Sequence, residues 1–261
     1  MDILLLIGVG IVAGTMAGLL GIGGGIIIVP VLALVFDGQG IHVDVLMHVA
    51  IGTSLATIAI TSISSIRTHQ SHQAIDWAVF KRITPGILLG GLLGSVIAKM
   101  IPGADLRIIF GVFMLLVAGQ MILGNASKPH RQLPGSFGMV VSGAVIGSIS
   151  SLMGIGGGSM SVPFLTWCNM AIRQAVATSA AIGFPIAIAG VTGFIITGWG
   201  IENRPVWSVG YVNVPAFLSI VVSSFLFAPV GAKITHKISP QKLKKIFGYF
   251  LLLLGIKVLY G

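Results

Sequence analysis

Apolar residues run along this chain in continuous stretches of about 15–25 positions, approximately 3–20, 22–36, 47–66, 83–101, 106–124, 136–153, 156–169, 174–199, 211–231 and 243–260. Runs of that length predict helices, because strands of a membrane barrel would alternate apolar and polar positions over about 10 residues. Two regions, 3–36 and 136–169, are too long for one helix each. Either would run ~50 Å, against a bilayer hydrocarbon core of ~30 Å. Both are interrupted at their centre by Gly-Ile-Gly-Gly-Gly, at 21–25 and 154–158. Three successive glycines weaken a helix by about 1 kcal/mol each relative to alanine. Each region is therefore expected to form two helical pieces joined at the glycines. The pieces after the breaks are short for a full crossing, which favours discontinuous or partly re-entrant helices.

Composition removes the soluble classes. The chain is 55% hydrophobic and 8% charged, with 37 glycines among 261 residues, and its mean hydropathy is +1.04. A soluble domain carries about 25% charged residues. The net charge of +9 does not indicate a nucleic-acid partner, because the 15 basic residues lie in short loops between apolar runs. In a membrane protein such an excess is the signature of cytoplasmic loops. The single cysteine, Cys168, excludes an intramolecular disulfide and sits in an apolar run, where packing is its expected role. The first apolar run has no basic segment before it, so no cleaved leader is expected.

The two glycine breaks belong to a duplication. Ala17–Leu32 aligns without gaps to Ser150–Leu165, with nine of 16 positions identical, including all the break glycines and Pro30/Pro163. Ala50–Ala56 matches Ala175–Ala181, which pairs Thr53-Ser54 with Thr178-Ser179, and Leu106–Leu116 matches Leu243–Leu253. Three blocks in the same order predict two transmembrane repeats, 1–124 and 136–261, joined by a cytoplasmic linker at 125–135. With each break counted as a turn and both termini outside, 11 basic residues fall on the cytoplasmic side and 4 outside. Four segments per half in parallel orientation would place the lysine cluster at 233–245 outside. The expected fold is therefore an all-α polytopic membrane protein of two inverted repeats, each with about five helical segments.

Several residues could carry chemistry. Helices starting at Gly23, Gly24 and Gly25, and at Gly156, Gly157 and Gly158, would present unpaired backbone N–H groups and a positive dipole end. In an inverted repeat the two ends would converge near mid-bilayer as an anion site without a buried cation. Close helix packing is the plainer reading of the same glycines. Thr53, Ser54, Thr178 and Ser179 could donate hydroxyls to that anion, or bond back to their own helices. Pro30 and Pro163 would kink the helices after each break. His48 and Arg173, each five residues before a Thr-Ser pair, are candidate vestibule residues or interface anchors. Lys99 is expected to snorkel outward. His69 and His72 have no acidic partner nearby and predict no metal, and no cofactor is expected. All six acidic residues lie at segment ends or in loops, which argues against a buried carboxylate relay and against acidic channel rings. No nucleophile–base pair at membrane depth suggests an enzyme.

Two copies of Gly-Ile-Gly-Gly-Gly followed by Val-Pro, each with a later Ala-x-x-Thr-Ser helix, make the chain resemble the TauE/SafE family of sulfite exporters, also called the toluenesulfonate-uptake permease family. The resemblance spans both halves. Two departures stand out: Ala177 where the first half has Gly52, and Ser159 where the first half has Ile26. The resemblance implies a carrier in the bacterial or archaeal plasma (inner) membrane, exporting sulfite or a related small sulfur-containing anion such as an organosulfonate. Its expected partners are that anion and the lipid bilayer, with a homodimer compatible and no nucleic acid. The residues themselves reach an anion but not sulfur, and leave an anion channel, or a carrier for a non-sulfur anion, as alternatives.

Overall fold

The protein is described by a computed structural model covering residues 3–20, 24–124, 132–234 and 240–260. Every apolar stretch forms a helix. In chain order these are α1 (Ile3–Leu20), α2 (Gly25–Gly38), α3 (Val43–Ser71), α4 (Trp77–Met100), α5 (Gly103–Leu123), α6 (Ser136–Leu152), α7 (Gly158–Trp167), α8 (Ile172–Thr197), α9 (Val214–Ile234) and α10 (Pro240–Tyr260). Both long regions divide at their glycines, α1 from α2 and α6 from α7. With 14 and 10 residues, α2 and α7 extend only ~21 and ~15 Å, short of a crossing. Five of the described helices are long and apolar enough to span a membrane. The chain is a polytopic, helical membrane protein.

One feature departs from the hydropathy pattern. The apolar stretch expected to begin at 211 is split: Ser208–Val209 and Val212–Asn213 pair as a small antiparallel hairpin before α9 starts. Gly210 turns the hairpin with φ +57°, a conformation that favours glycine. Most of the linker, 125–131, lies outside the described residues.

The packing exchanges helices between the halves. The helix α1 packs on α9, and α6 packs on α4; α3 meets α8, and α5 meets α10. Swapping the first five helices for the last five leaves this set of contacts unchanged. Small residues make the exchange seams. Beta carbons added at Gly86 and Gly90 of α4 would strike the carbonyls of Val140 and Ala144 of α6, and one at Gly14 of α1 would strike Ser224 of α9. Lipid supplies no hydrophobic drive for helices to associate, so such close backbone contact is what holds them together.

The halves differ in how their broken helices are covered. The helix α2 also touches α10, and α3 touches α5. All six residues from Gly25 to Pro30 are buried, whereas in the matching turn of α7 Ser159, Met160, Val162 and Pro163 are half-buried.

Candidate functional site

The two glycine breaks meet. A beta carbon on Gly25 would strike the Gly154 carbonyl and stand 3.0 Å from the Ile155 Cα. Gly24 and Gly154 have φ of +72° and +67°, so both turns use the left-handed region that side chains disfavour. Gly157, the counterpart of Gly24, is instead right-handed with φ −55°. Gly23 lies outside the described residues. Gly25 opens α2 and Gly158 opens α7, with Gly156 and Gly157 completing the second turn.

Backbone donors remain free at the second break. The amides of Met160 and Ser161 bond to the Gly157 carbonyl, and those of Gly154 and Ile155 to the carbonyls of Ser151 and Ser150. The N–H groups of Gly156, Gly157, Gly158 and Ser159 have no partner among the described residues. Unpaired amides at the positive end of a helix are donors of the kind that can bind an anion.

The Thr-Ser pairs lie buried on α3 and α8 and do different jobs. The Ser54 hydroxyl donates to the Gly154 carbonyl at 2.8 Å, which ties α3 to the second break. Thr53 accepts the Asn213 N–H at 2.9 Å. Thr178 accepts the Asp76 N–H, also at 2.9 Å. Because these threonines accept, each keeps its own hydroxyl hydrogen to donate. The Ser179 hydroxyl is buried without a partner among the described residues. Ser54 thus reaches the second break directly, and each pair holds a loop of the other half.

The remaining candidates sit farther away. His48 is 3% exposed. Its Nε2–H donates to the Ala98 carbonyl at 2.9 Å, and its ring stacks on Tyr211 with centroids 5.0 Å apart. That places it inside the protein beside the hairpin. Arg173 is exposed at the start of α8, and Lys99 is exposed near the end of α4, as a snorkelling side chain requires. The described residues contain no group of three or more metal-ligating side chains.

Four serines of the second break, of which only Ser159 stood out in the sequence, line up here. Ser150 and Ser151 at the end of α6, and Ser159 and Ser161 in the first turn of α7, have buried hydroxyl oxygens with no partner among the described residues. The alignment of the breaks carried the signal, since the first half has Ala17, Gly18, Ile26 and Ile28 at these positions.

Buried, helix-broken and charge-poor, this centre is that of a multi-pass membrane transporter rather than an enzyme. Comparison with known proteins agrees. The family model for the sulfite exporter TauE/SafE matches residues 6–258, so the chain belongs to the TauE/SafE family. It is 36% identical over 257 residues to a "Probable membrane transporter protein" of Haemophilus influenzae, covering 98% of this chain and 97% of that one. A protein of the same description from Methanocaldococcus jannaschii is 30% identical, covering 98% and 94%. One from Bacillus subtilis is 28% identical, covering 100% and 98%. No solved structure matches.

Proposed function

We propose that the protein is a secondary carrier that exports sulfite, or a related small sulfur-containing anion such as an organosulfonate, by alternating access around a site where the two glycine breaks meet. The observation that carries this reading is the contact of Gly25 with Gly154 and Ile155 beside four unpaired amides. The amides give a compact anion donors in a region without a lysine or arginine between Gln132 and Ile172. Thr53, Thr178 and Ser179 retain hydroxyl hydrogens that can join them. The sulfur atom enters through family membership alone.

The mechanism follows from the two halves. In this reading, 1–124 and 136–261 are inverted repeats joined by a cytoplasmic linker, with both termini outside. Contacts that survive exchange of the halves support it. Two arrangements of related cost are the requirement for alternating access. The unequal cover of α2 and α7 is consistent with a conformation in which the two halves are not equivalent. Arg173, exposed at the start of α8, would mark one approach, whereas His48 is buried against Tyr211 and lines none; a homodimer is compatible with the apolar exterior.

Sulfite flux into proteoliposomes of the purified chain tests the reading, with sulfate, thiosulfate, taurine and acetate as competitors. Saturable sulfite movement is expected, and is lost when the glycines of both breaks are replaced by bulkier residues. Unsaturable ionic current would replace the carrier with a channel. Transport of another anion without sulfite would keep the site and discard the substrate.

A further inference from the structure

The duplication contains its own control. What the turn at a glycine break needs for folding, both halves carry: the glycines, the Val-Pro that follows and the Thr-Ser pair. Of the seven mismatched positions, four place serine in the second half: Ala17, Gly18, Ile26 and Ile28 in the first half stand against Ser150, Ser151, Ser159 and Ser161 in the second. At the last two of these positions the first half packs isoleucines, Ile26 and Ile28, each 1% exposed. Hydroxyls are therefore not required to build this turn. A buried hydroxyl without a partner is a net cost to folding, so four of them at one turn need another reason.

Their placement supplies one. Ser150, Ser151, Ser161 and Ser179 are all 0% exposed, and with Ser159 their oxygens have no partner among the described residues. The Ser161 Oγ is aimed at the start of α7, 3.1 Å from where a beta carbon on Gly157 would stand. Ser179, Gly183 and Ile186 share one face of α8, four and three residues apart. That face looks at the same turn. Gly183 lies opposite the Gly157 nitrogen, which is 3.7 Å from the position of an added beta carbon, and the Ile182 and Ile186 side chains stand beside the Ser161 Oγ at Gly157, 3.0 and 3.1 Å from its own added beta carbon.

We propose that the second break alone holds the transported anion. The unpaired amides of Gly156 to Ser159, with the hydroxyls of Ser159, Ser161 and Ser179, form a binding site for a compact oxyanion. The first break supplies no hydroxyl to it. The proposal rests on the carrier reading and narrows it to one half of the molecule. The donors are neutral and the hydroxyls rotate, so the site satisfies several anion oxygens without fixing a counter-charge. A carried ion must leave as readily as it enters, and neutral donors suit that better than a buried cation would.

Equilibrium binding of radiolabelled sulfite to the detergent-purified full chain tests it, with sulfate, methanesulfonate and acetate as competitors. Ser159→Ala/Ser161→Ala is expected to weaken binding about tenfold, the loss of one to two hydrogen bonds to a charged group. Ile26→Val/Ile28→Val, at the matching positions of the first break, is expected to leave it within about twofold, since these side chains carry no donor and form no part of the proposed site. Equal losses in the two variants, or an unchanged serine variant, overturn the assignment to the second half. Should the double serine variant elute as aggregate, Ser159→Ala alone is read in its place: weakened binding supports the proposal and unchanged binding overturns it. If the unaltered protein binds none of the four anions, the carrier reading itself fails, a result seen before any variant is made.

Discussion

The hydroxyl of Thr53 on α3 accepts the backbone N–H of Asn213 at 2.9 Å, the residue immediately before α9. Thr178 on α8 does the same for Asp76, immediately before α4. Each half therefore positions the start of a helix in the other. A buried N–H deprived of its acceptor costs about 1–3 kcal/mol. Thr53→Val and Thr178→Val should each lower the melting temperature of the purified protein and reduce flux, while Thr53→Ser keeps the acceptor and stays close to the parent. A valine variant that melts like the parent would show that the bond is not structural.

Asp76 and Asn213 are themselves caps. The Asp76 Oδ1 accepts the amides of Ala78 and Val79, both at 3.0 Å, and the Asn213 Oδ1 accepts that of Ala216 at 3.0 Å. Replacement of either by alanine is expected to cost about 1 kcal/mol. The Asp76 change should be the larger, because it also removes a negative charge from a helix N-terminus. Thermal unfolding of the two variants, measured side by side in one detergent, checks the order.

The seam between α4 and α6 permits no added volume. Gly86 and Gly90 lie against the carbonyls of Val140 and Ala144, where even one methyl group forces the helices apart. Gly86→Ala and Gly90→Ala are each expected to cost about 1–3 kcal/mol by overpacking. Gly119, with nothing within 4 Å of an added beta carbon, is the control, and Gly119→Ala should be neutral or slightly stabilising. Yield of monodisperse protein after purification separates the two cases. Equal yields would mean that the seam accommodates an added methyl group.

The departure of Gly52 from Ala177 now has a cause. A beta carbon on Gly52 would stand 2.5 Å from the Tyr211 carbonyl oxygen. The loop after α8 carries the hairpin that brings Tyr211 there, whereas the shorter loop after α3 packs Ile75 in one cluster with Ala177. Gly52→Ala should therefore be destabilising by about 1–3 kcal/mol, and Ala177→Gly by about 1 kcal/mol through helix propensity alone. Melting temperatures of the pair would expose the asymmetry.

Local chemistry alone placed most of the architecture. Continuous apolar runs can only become helices where backbone groups must pair within their own segment. The ten stretches in the sequence accordingly appear as the ten helices of the described chain. The breaks were legible for a similar reason, because three glycines in a row cannot sustain a helix whatever surrounds them. The duplication in turn marked out Thr53-Ser54 and Thr178-Ser179 as equivalent pairs.

What each hydroxyl touches was decided by tertiary structure, since a hydrogen bond across 100 or 160 residues leaves no trace in local pattern. Ser54 holding the Gly154 carbonyl and Thr53 holding Asn213 depend on α3 lying between the second break and the hairpin. The hairpin was hidden inside an apolar run, because Tyr211 and Val212 read as the start of α9 until Gly210 turns the chain. The serines of the second break were visible as letters, but their significance was not. Only packing shows that Ser150, Ser151 and Ser161 are buried and unpartnered while Ile26 and Ile28 fill the opposite turn. Periodicity tells which residues leave water; it does not tell which of the buried ones lack a partner.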